Sequence, residues 1–161
     1  KATGEVMGIA DDFGMAYAKS QMAASNPLPL SGKVFISVRD RDKQAIVEVA
    51  RGFTELGFKV VCTRGTAKFL AAQGVQVDPI NKLAEGRPNI LDAIKNGEID
   101  FVVNTPSSQE TRADERKIRA AAVQYRISHC TNLAAAIATV KAIRALQTSE
   151  LTVKSLQEWH K

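Results

Sequence analysis

The chain has 161 residues and a formal net charge of +5, and it is 45% hydrophobic and 24% charged. These values are typical of one soluble globular domain, and no apolar run approaches the ~20 residues of a membrane span. The basic residues are scattered and not interleaved with aromatics, which argues against nucleic acid and favours a small phosphorylated ligand. Because the chain begins with Lys1 and not with Met, we expect it to be a piece of a longer protein.

A helix and a linker are predicted at the start of the chain. Residues 11–24 consist largely of good helix formers, and Asp11 and Asp12 are both suited to cap the N-terminus. Residues 25–31, with the sequence SNPLPLS, are typical of a linker. We therefore predict that residues 1–31 are the tail of a preceding unit plus a linker, and that residues 32–161 form the main domain.

Strand and helix patterns then alternate to the end of the chain. The predicted strands cover residues 33–38, 58–62, 75–79, 100–104 and 127–129. The predicted helices cover residues 42–56, 65–73, 90–96, 110–125 and 131–146. This alternation predicts an α/β fold, a three-layer, doubly wound, five-stranded parallel sheet with helices on both faces. Such sheets bind ligands beyond the carboxyl ends of their strands, at the topological switch point.

The turns after the first two strands contain groups suited to a phosphate. Lys43 stands at the start of a helix, where free backbone N–H groups already favour anions, although it also fits an exposed surface lysine. Thr63, Gly65 and Thr66 follow strand two, where glycine allows close backbone approach and threonines donate hydrogen bonds. The alternative is that Thr63 or Thr66 only caps the helix.

Further polar residues are expected at the same edge of the sheet. Asn104, Thr105 and Ser107 follow strand four and suit ribose hydroxyls or a base edge, although the turn also fits capping serines. Lys82, between strands three and four, is a candidate second cation, and Ser37 stands at the end of strand one. The residues therefore predict a binding site for a phosphorylated ligand.

Catalytic and metal-binding patterns are missing from the sequence. Cys62 and Cys130 lack C-x-x-C spacing, and we interpret them as buried free thiols of a reducing cytoplasm. His129 and His160 stand in no metal or catalytic pattern, and G-x-G-x-x-G and Walker A motifs do not occur. We therefore expect a binding module with no active site, no metal and no cofactor of its own.

Three strings resemble a known family: SVRDRDK, FKVVCTRGTAKFLAAQGV and NKLAEGRPNILDAIKNGEIDFVVNT. They are similar to the methylglyoxal-synthase-like domain of carbamoyl-phosphate synthetase large subunits, from about residue 33 onward. Residues 1–31 resemble the end of that subunit's second ATP-grasp unit. The resemblance implies a cytoplasmic regulatory domain that binds UMP as inhibitor and IMP as activator. The resemblance further implies that this domain controls carbamoyl phosphate synthesis for pyrimidine and arginine biosynthesis.

The resemblance also implies partners and an effector site. The parent enzyme is a ligase that uses ATP with Mg or Mn and works with a glutaminase small subunit; no membrane or nucleic-acid partner is implied, and self-association through this domain stays open. By motif, the nucleotide site comprises Ser37, Lys43, Thr63, Thr66, Lys82, Asn104 and Thr105. Pro106 and Glu115 depart from the family pattern beside the nucleotide, so the preferred nucleotide stays open.

The same residues bear on two other functions found among related proteins, methylglyoxal synthase activity and ornithine binding. Methylglyoxal synthase, a phosphate lyase, shares the lysine and threonine turns and is the main alternative. Its catalytic aspartate follows strand three, where Asp78 and Asp92 lie on either side of LAEGRPN and do not match. Ornithine binding is unsupported, because Thr131 matches one ligand position but His129 replaces a tyrosine.

Overall fold

Five parallel strands form one sheet at the centre of the structure, a computed structural model that describes residues 4–105 and 112–159. Within these residues the strands are β1 (Lys33–Ser37), β2 (Lys59–Thr63), β3 (Asp78–Ile80), β4 (Phe101–Asn104) and β5 (Ser128–Cys130). The helices are α1 (Phe13–Ala23), α2 (Lys43–Glu55), α3 (Arg64–Ala72), α4 (Ile90–Lys95), α5 (Arg112–Gln124), α6 (Leu133–Thr148) and α7 (Leu156–Trp159). The strand order is β3-β2-β1-β4-β5. The predicted doubly wound α/β fold is confirmed.

Alternating side chains of the strands build a core on each face of the sheet. Val34 and Ile36 of β1 pack with residues of α2, α3 and α6, whereas Phe35 packs on the other face with residues of α4 and α5. All three are fully buried. Strands covered on both faces are continuous apolar runs, which explains why the KVFIS segment shows no polar alternation.

The N-terminal helix packs directly against α6. Asp12 caps α1 by accepting a 3.0 Å hydrogen bond from the Met15 N–H, which decides between the two predicted caps. Gly14 lies so close to α6 that a Cβ atom there would stand 2.6 Å from the Lys141 carbonyl oxygen. The following segment is also attached, since the Ser128 hydroxyl donates to the Pro27 carbonyl at 2.6 Å. A division at residue 31 stays a prediction.

All five predicted strands shift in the structure, by one residue at one or both ends in four of them and by up to three residues in strand three. Strand three was expected at residues 75–79, but the Val75 N–H donates to the Leu70 carbonyl at 3.0 Å and so belongs to the end of α3. Pairing with β2 starts only at Asp78. Strand five begins at Ser128 and not at residue 127, because the Ile127 N–H donates to the Ala122 carbonyl, 2.8 Å away, at the end of α5.

The two cysteines are free and buried, as predicted. Burial raises the pKa of both thiols to about 12, so they stay protonated at neutral pH. Their surroundings are apolar, because both belong to the core cluster beneath α2 and α6. In the described part of the chain, no helix combines the length and apolar character needed to cross a membrane.

The α1–α6 contact can be tested at Gly14. We expect Gly14→Ala to lower the free energy of unfolding by about 1–3 kcal/mol, because the new methyl group meets backbone atoms that cannot move aside. Urea titration measures this change. Gly65→Ala is the matched control: Gly65 is likewise the second residue of its helix, but a Cβ there has no neighbour within 4 Å. Equal stabilities for the two variants would contradict the packing.

Candidate functional site

The switch point of the sheet lies between β1 and β4. The chain proceeds from β1 to β2 and β3 on one side, then crosses to β4 and β5 on the other. Ser37 and Asn104 are register partners at the carboxyl ends of the two central strands. The Thr105 N–H continues the pairing with a 3.1 Å hydrogen bond to the Ser37 carbonyl. The connections diverge above this point, which opens a crevice between them.

A cleft of about 580 Å³ occupies this position, and we call it the switch-point cleft. Its volume lies within the range of small-molecule sites. Most of the predicted site residues line it: Ser37, Lys43, Thr63, Gly65, Thr66 and Lys82. Residues far apart in the sequence therefore meet, as expected from the parallel sheet, in which all carboxyl ends face one edge.

The loop between β1 and α2 is held from below by Thr105 and from within by Asp42. The Arg39 N–H donates to Thr105 Oγ1 at 3.2 Å, and the Arg39 guanidinium Nε contacts Asp42 Oδ2 at 2.7 Å. Asp42 is buried, so this ion pair is shielded from solvent on one side. Residues 40–42 form a tight 3₁₀ turn and α2 begins at Lys43. This arrangement places Lys43 on the wall of the cleft.

The N-terminus of α3 forms another wall of the cleft. Thr63 occupies the N-cap position but its side chain makes no capping hydrogen bond; its hydroxyl instead lies 3.5 Å from the hydroxyl of Thr66. Side-chain capping by Thr63, the alternative left open above, is therefore not realised. The first N–H groups of a helix have no intrahelical partner and carry a partial positive charge. At Gly65 the backbone faces open space, because no atom occupies the position of a Cβ.

Asn104 and Thr105 are placed differently from the other predicted residues. Both are 1% exposed and lie beneath the cleft without lining it. The Asn104 Nδ2 group is 3.5 Å from the Glu115 carbonyl, and its Oδ1 atom is buried with no hydrogen-bond partner among the described residues. Ser107 lies outside the described residues.

The structure adds residues that the sequence did not single out. Arg39, Asp40 and Arg41 line the cleft from the SVRDRDK motif, whose charged run was a visible signal. Asp114 and Ile118 of α5 also line it, next to Glu115, which the resemblance had already placed beside the nucleotide. Their i, i+4 spacing places Asp114 and Ile118 on one helix face, but the sequence did not indicate which face meets the cleft.

Cations and carboxylates are paired along the cleft. Lys43 Nζ lies 2.7 Å from Asp40 Oδ1, and the carboxylate of Asp40 is 94% exposed. The pKa of Asp40 is lowered first by the hydrogen bond from Lys43, then by the charge of Lys43 and of Lys82. In the described part of the chain Lys82 has no ion-pair partner. The site therefore presents two lysines to any anion that enters.

Asp78 and Asp92, which lie on either side of LAEGRPN, do not line the switch-point cleft. Asp78 is the first residue of β3, at the end of the strand remote from the cleft. Asp92 caps α4 by accepting the Asn89 N–H at 3.0 Å and lies 3.5 Å from the Arg87 guanidinium. Among residues 4–105 and 112–159, no three His, Cys, Asp or Glu side chains cluster as a metal site would require.

Fold and cleft together define a doubly wound α/β domain with a cleft lined by charged side chains at its switch point. The family model of the MGS-like domain matches residues 45–131, and the chain belongs to that family. It is 52% identical over 161 residues to the carbamoyl phosphate synthase large chain of Archaeoglobus fulgidus, covering 99% of this chain and 15% of the relative. The large chain of Nostoc sp. is 50% identical over 159 residues, covering 99% and 14%.

A shorter relative gives the same assignment. A carbamoyl phosphate synthase large chain of Methanosarcina barkeri is 44% identical over 162 residues, covering all of this chain and 41% of the relative. Against the relatives from Archaeoglobus and Nostoc, the chain spans only about one seventh of their length. The resemblance to the methylglyoxal-synthase-like domain of this synthetase is thereby confirmed.

The support that Thr105 gives to the loop can be tested by hydrogen exchange. We expect Thr105→Val to speed exchange of the Arg39 amide by about fivefold or more, because loss of the acceptor removes a hydrogen bond of about 1 kcal/mol. Thr105→Ser keeps the hydroxyl and should keep the protection of this amide. Unchanged exchange in the valine variant would show that the bond does not hold the loop.

Proposed function

We propose that the chain is an allosteric regulatory domain of a carbamoyl phosphate synthase large chain that binds nucleoside monophosphates in the switch-point cleft. The observation that carries the proposal is the convergence of Lys43, Lys82 and the N-terminus of α3 on one cleft. Two cations and a helix N-terminus are the groups that bind a phosphate dianion in proteins. The identity to synthase large chains supports the parent enzyme.

The phosphate of the nucleotide is held by the two lysines and by the backbone N–H groups at Gly65 and Thr66. The absence of a side chain at Gly65 lets a phosphate approach this backbone closely. The cleft extends past these residues to Leu83, Ile90 and Ile118, whose apolar surface suits a flat base. The lining therefore offers a charged part for the phosphate and an apolar part for the base.

Regulation requires that nucleotides favour different states of the parent enzyme. In our proposal UMP inhibits and IMP activates, by changing how this domain packs on the preceding ATP-grasp unit. A coupling free energy of about 1–3 kcal/mol is typical of such control. The parent is a cytoplasmic ligase that uses ATP with Mg or Mn and a glutaminase small subunit. It supplies carbamoyl phosphate for pyrimidine and arginine synthesis, and catalysis is assigned to that parent and not to this domain.

Calorimetry of this chain with UMP and with IMP tests the site. We expect Lys43→Ala to weaken nucleotide binding by about 10- to 100-fold, because a charge-assisted hydrogen bond contributes about 1.5–3 kcal/mol. Lys59→Ala is the control, since it removes the same charge from an exposed lysine at the opposite end of β2. This control should bind as the unchanged chain does.

Three results would overturn parts of the proposal. If neither nucleotide binds at millimolar concentration, the chain is not a nucleotide sensor. If Lys43→Ala binds as well as Lys59→Ala, the phosphate lies elsewhere. Formation of methylglyoxal from dihydroxyacetone phosphate by the chain would contradict the assignment of a domain without catalysis and favour the phosphate lyase.

A further inference from the structure

Among the described residues three carboxylates line the switch-point cleft, and one of them, that of Asp40, is paired with a cation assigned above to the phosphate. Asp40 Oδ1 lies 2.7 Å from Lys43 Nζ, the shortest distance at which these groups form a charge-assisted hydrogen bond. The same carboxylate is within electrostatic range of Lys82, which helps to lower its pKa. Asp40 is thus ionised at neutral pH and paired with Lys43, one of the two cations assigned above to the phosphate.

The protein holds this carboxylate loosely. Its side chain is 94% exposed. Among the described residues, Lys43 is the only one with which it forms a hydrogen bond or an ion pair. Asp42, two residues further on, differs in exposure and in partner: it is buried and bound to the guanidinium of Arg39. Asp42 therefore stabilises the loop, whereas Asp40 can turn into solvent without disturbing the fold.

We propose that Asp40 is an internal counter-anion of the switch-point cleft, which occupies Lys43 until the phosphate of a nucleotide displaces it, and which thereby sets the effector concentration at which the cleft fills. This inference rests on the proposed function. A ligand phosphate must break the Asp40–Lys43 pair before it can bind Lys43. The free energy of that pair is therefore subtracted from the binding free energy of the ligand.

The expected size of the effect follows from the exposure of the pair. Exposed ion pairs shift an equilibrium only modestly, by a factor of roughly two to five. Removal of the negative charge also reduces repulsion of the incoming dianion, in the same direction. Asp40→Asn should therefore bind UMP about two- to fivefold more tightly than the unchanged chain, and it should bind inorganic phosphate more tightly as well.

The experiment compares dissociation constants of UMP and of inorganic phosphate for the unchanged chain, Asp40→Asn and Glu55→Gln. Glu55 is the matched control because it also forms an exposed ion pair, with Arg144 at 3.1 Å, and its substitution changes the net charge equally. It lies 12 residues along α2 from Lys43, a separation of ~18 Å, beyond the screening length at physiological salt. Glu55→Gln should leave both constants unchanged.

A double-mutant cycle separates competition from a purely structural effect. In a Lys43→Ala background, Asp40→Asn should improve binding less than it does in the unchanged chain, because the carboxylate no longer occupies a lysine. The midpoint temperature of thermal unfolding should be the same for Asp40→Asn and Glu55→Gln. Asp40→Glu, which keeps a carboxylate, should retain weaker binding than Asp40→Asn.

The outcomes distinguish this inference from the proposed function. If Lys43→Ala loses binding but Asp40→Asn gains none, the counter-anion is excluded and the nucleotide site stands. If Asp40→Asn and Glu55→Gln improve binding equally, or if the gain is equal with and without Lys43, the effect is one of overall charge and the proposal is wrong. If the unchanged chain and Asp40→Asn both fail to bind, the two proposals fall together.

Discussion

The pairing of β1 with β4 fixes the point of the sheet above which the switch-point cleft opens. The Thr105 N–H bonds to the Ser37 carbonyl, and the Thr105 hydroxyl accepts the N–H of Arg39. These two bonds join the strand ends at which the connections diverge, and they carry the loop from which α2 begins at Lys43. The loop is fixed both at its backbone and at the Arg39 side chain. The backbone position of Lys43, which follows the loop, is therefore well defined.

Charge in the cleft is balanced within the protein. Lys43 is paired with Asp40, while Arg39 and Arg41 share the carboxylate of Asp42. The Asp40–Lys43 pair is exposed, and exposed ion pairs stabilise a fold only slightly. This pair is therefore available for exchange with a ligand. The buried pair at Asp42 has the opposite role, since breaking it would leave a charge without a partner in a poorly solvated position. The two aspartates thus have separate roles: Asp42 supports the loop, and Asp40 competes with a ligand anion for Lys43.

The segment before the first strand is joined to the domain by close backbone packing. Gly14 allows α1 to approach the Lys141 carbonyl, and the hydroxyl of Ser128 ties the connecting segment to β5. In the relatives, this whole length of sequence lies within a much longer large chain. A displacement of α1 would therefore act directly on α6.

The sequence by itself determined the fold class, the alternation of elements and the positions of Lys43, Thr63 and Thr66 at strand ends, because periodicity and turn residues are local signals. Only the tertiary structure decided that Thr105 supports Arg39, a residue 66 positions away, instead of lining the cleft. It also selected the face of α5 that lines the cleft and the face of α6 that receives α1. Such contacts depend on how separate elements pack in space, for which no local pattern carries information.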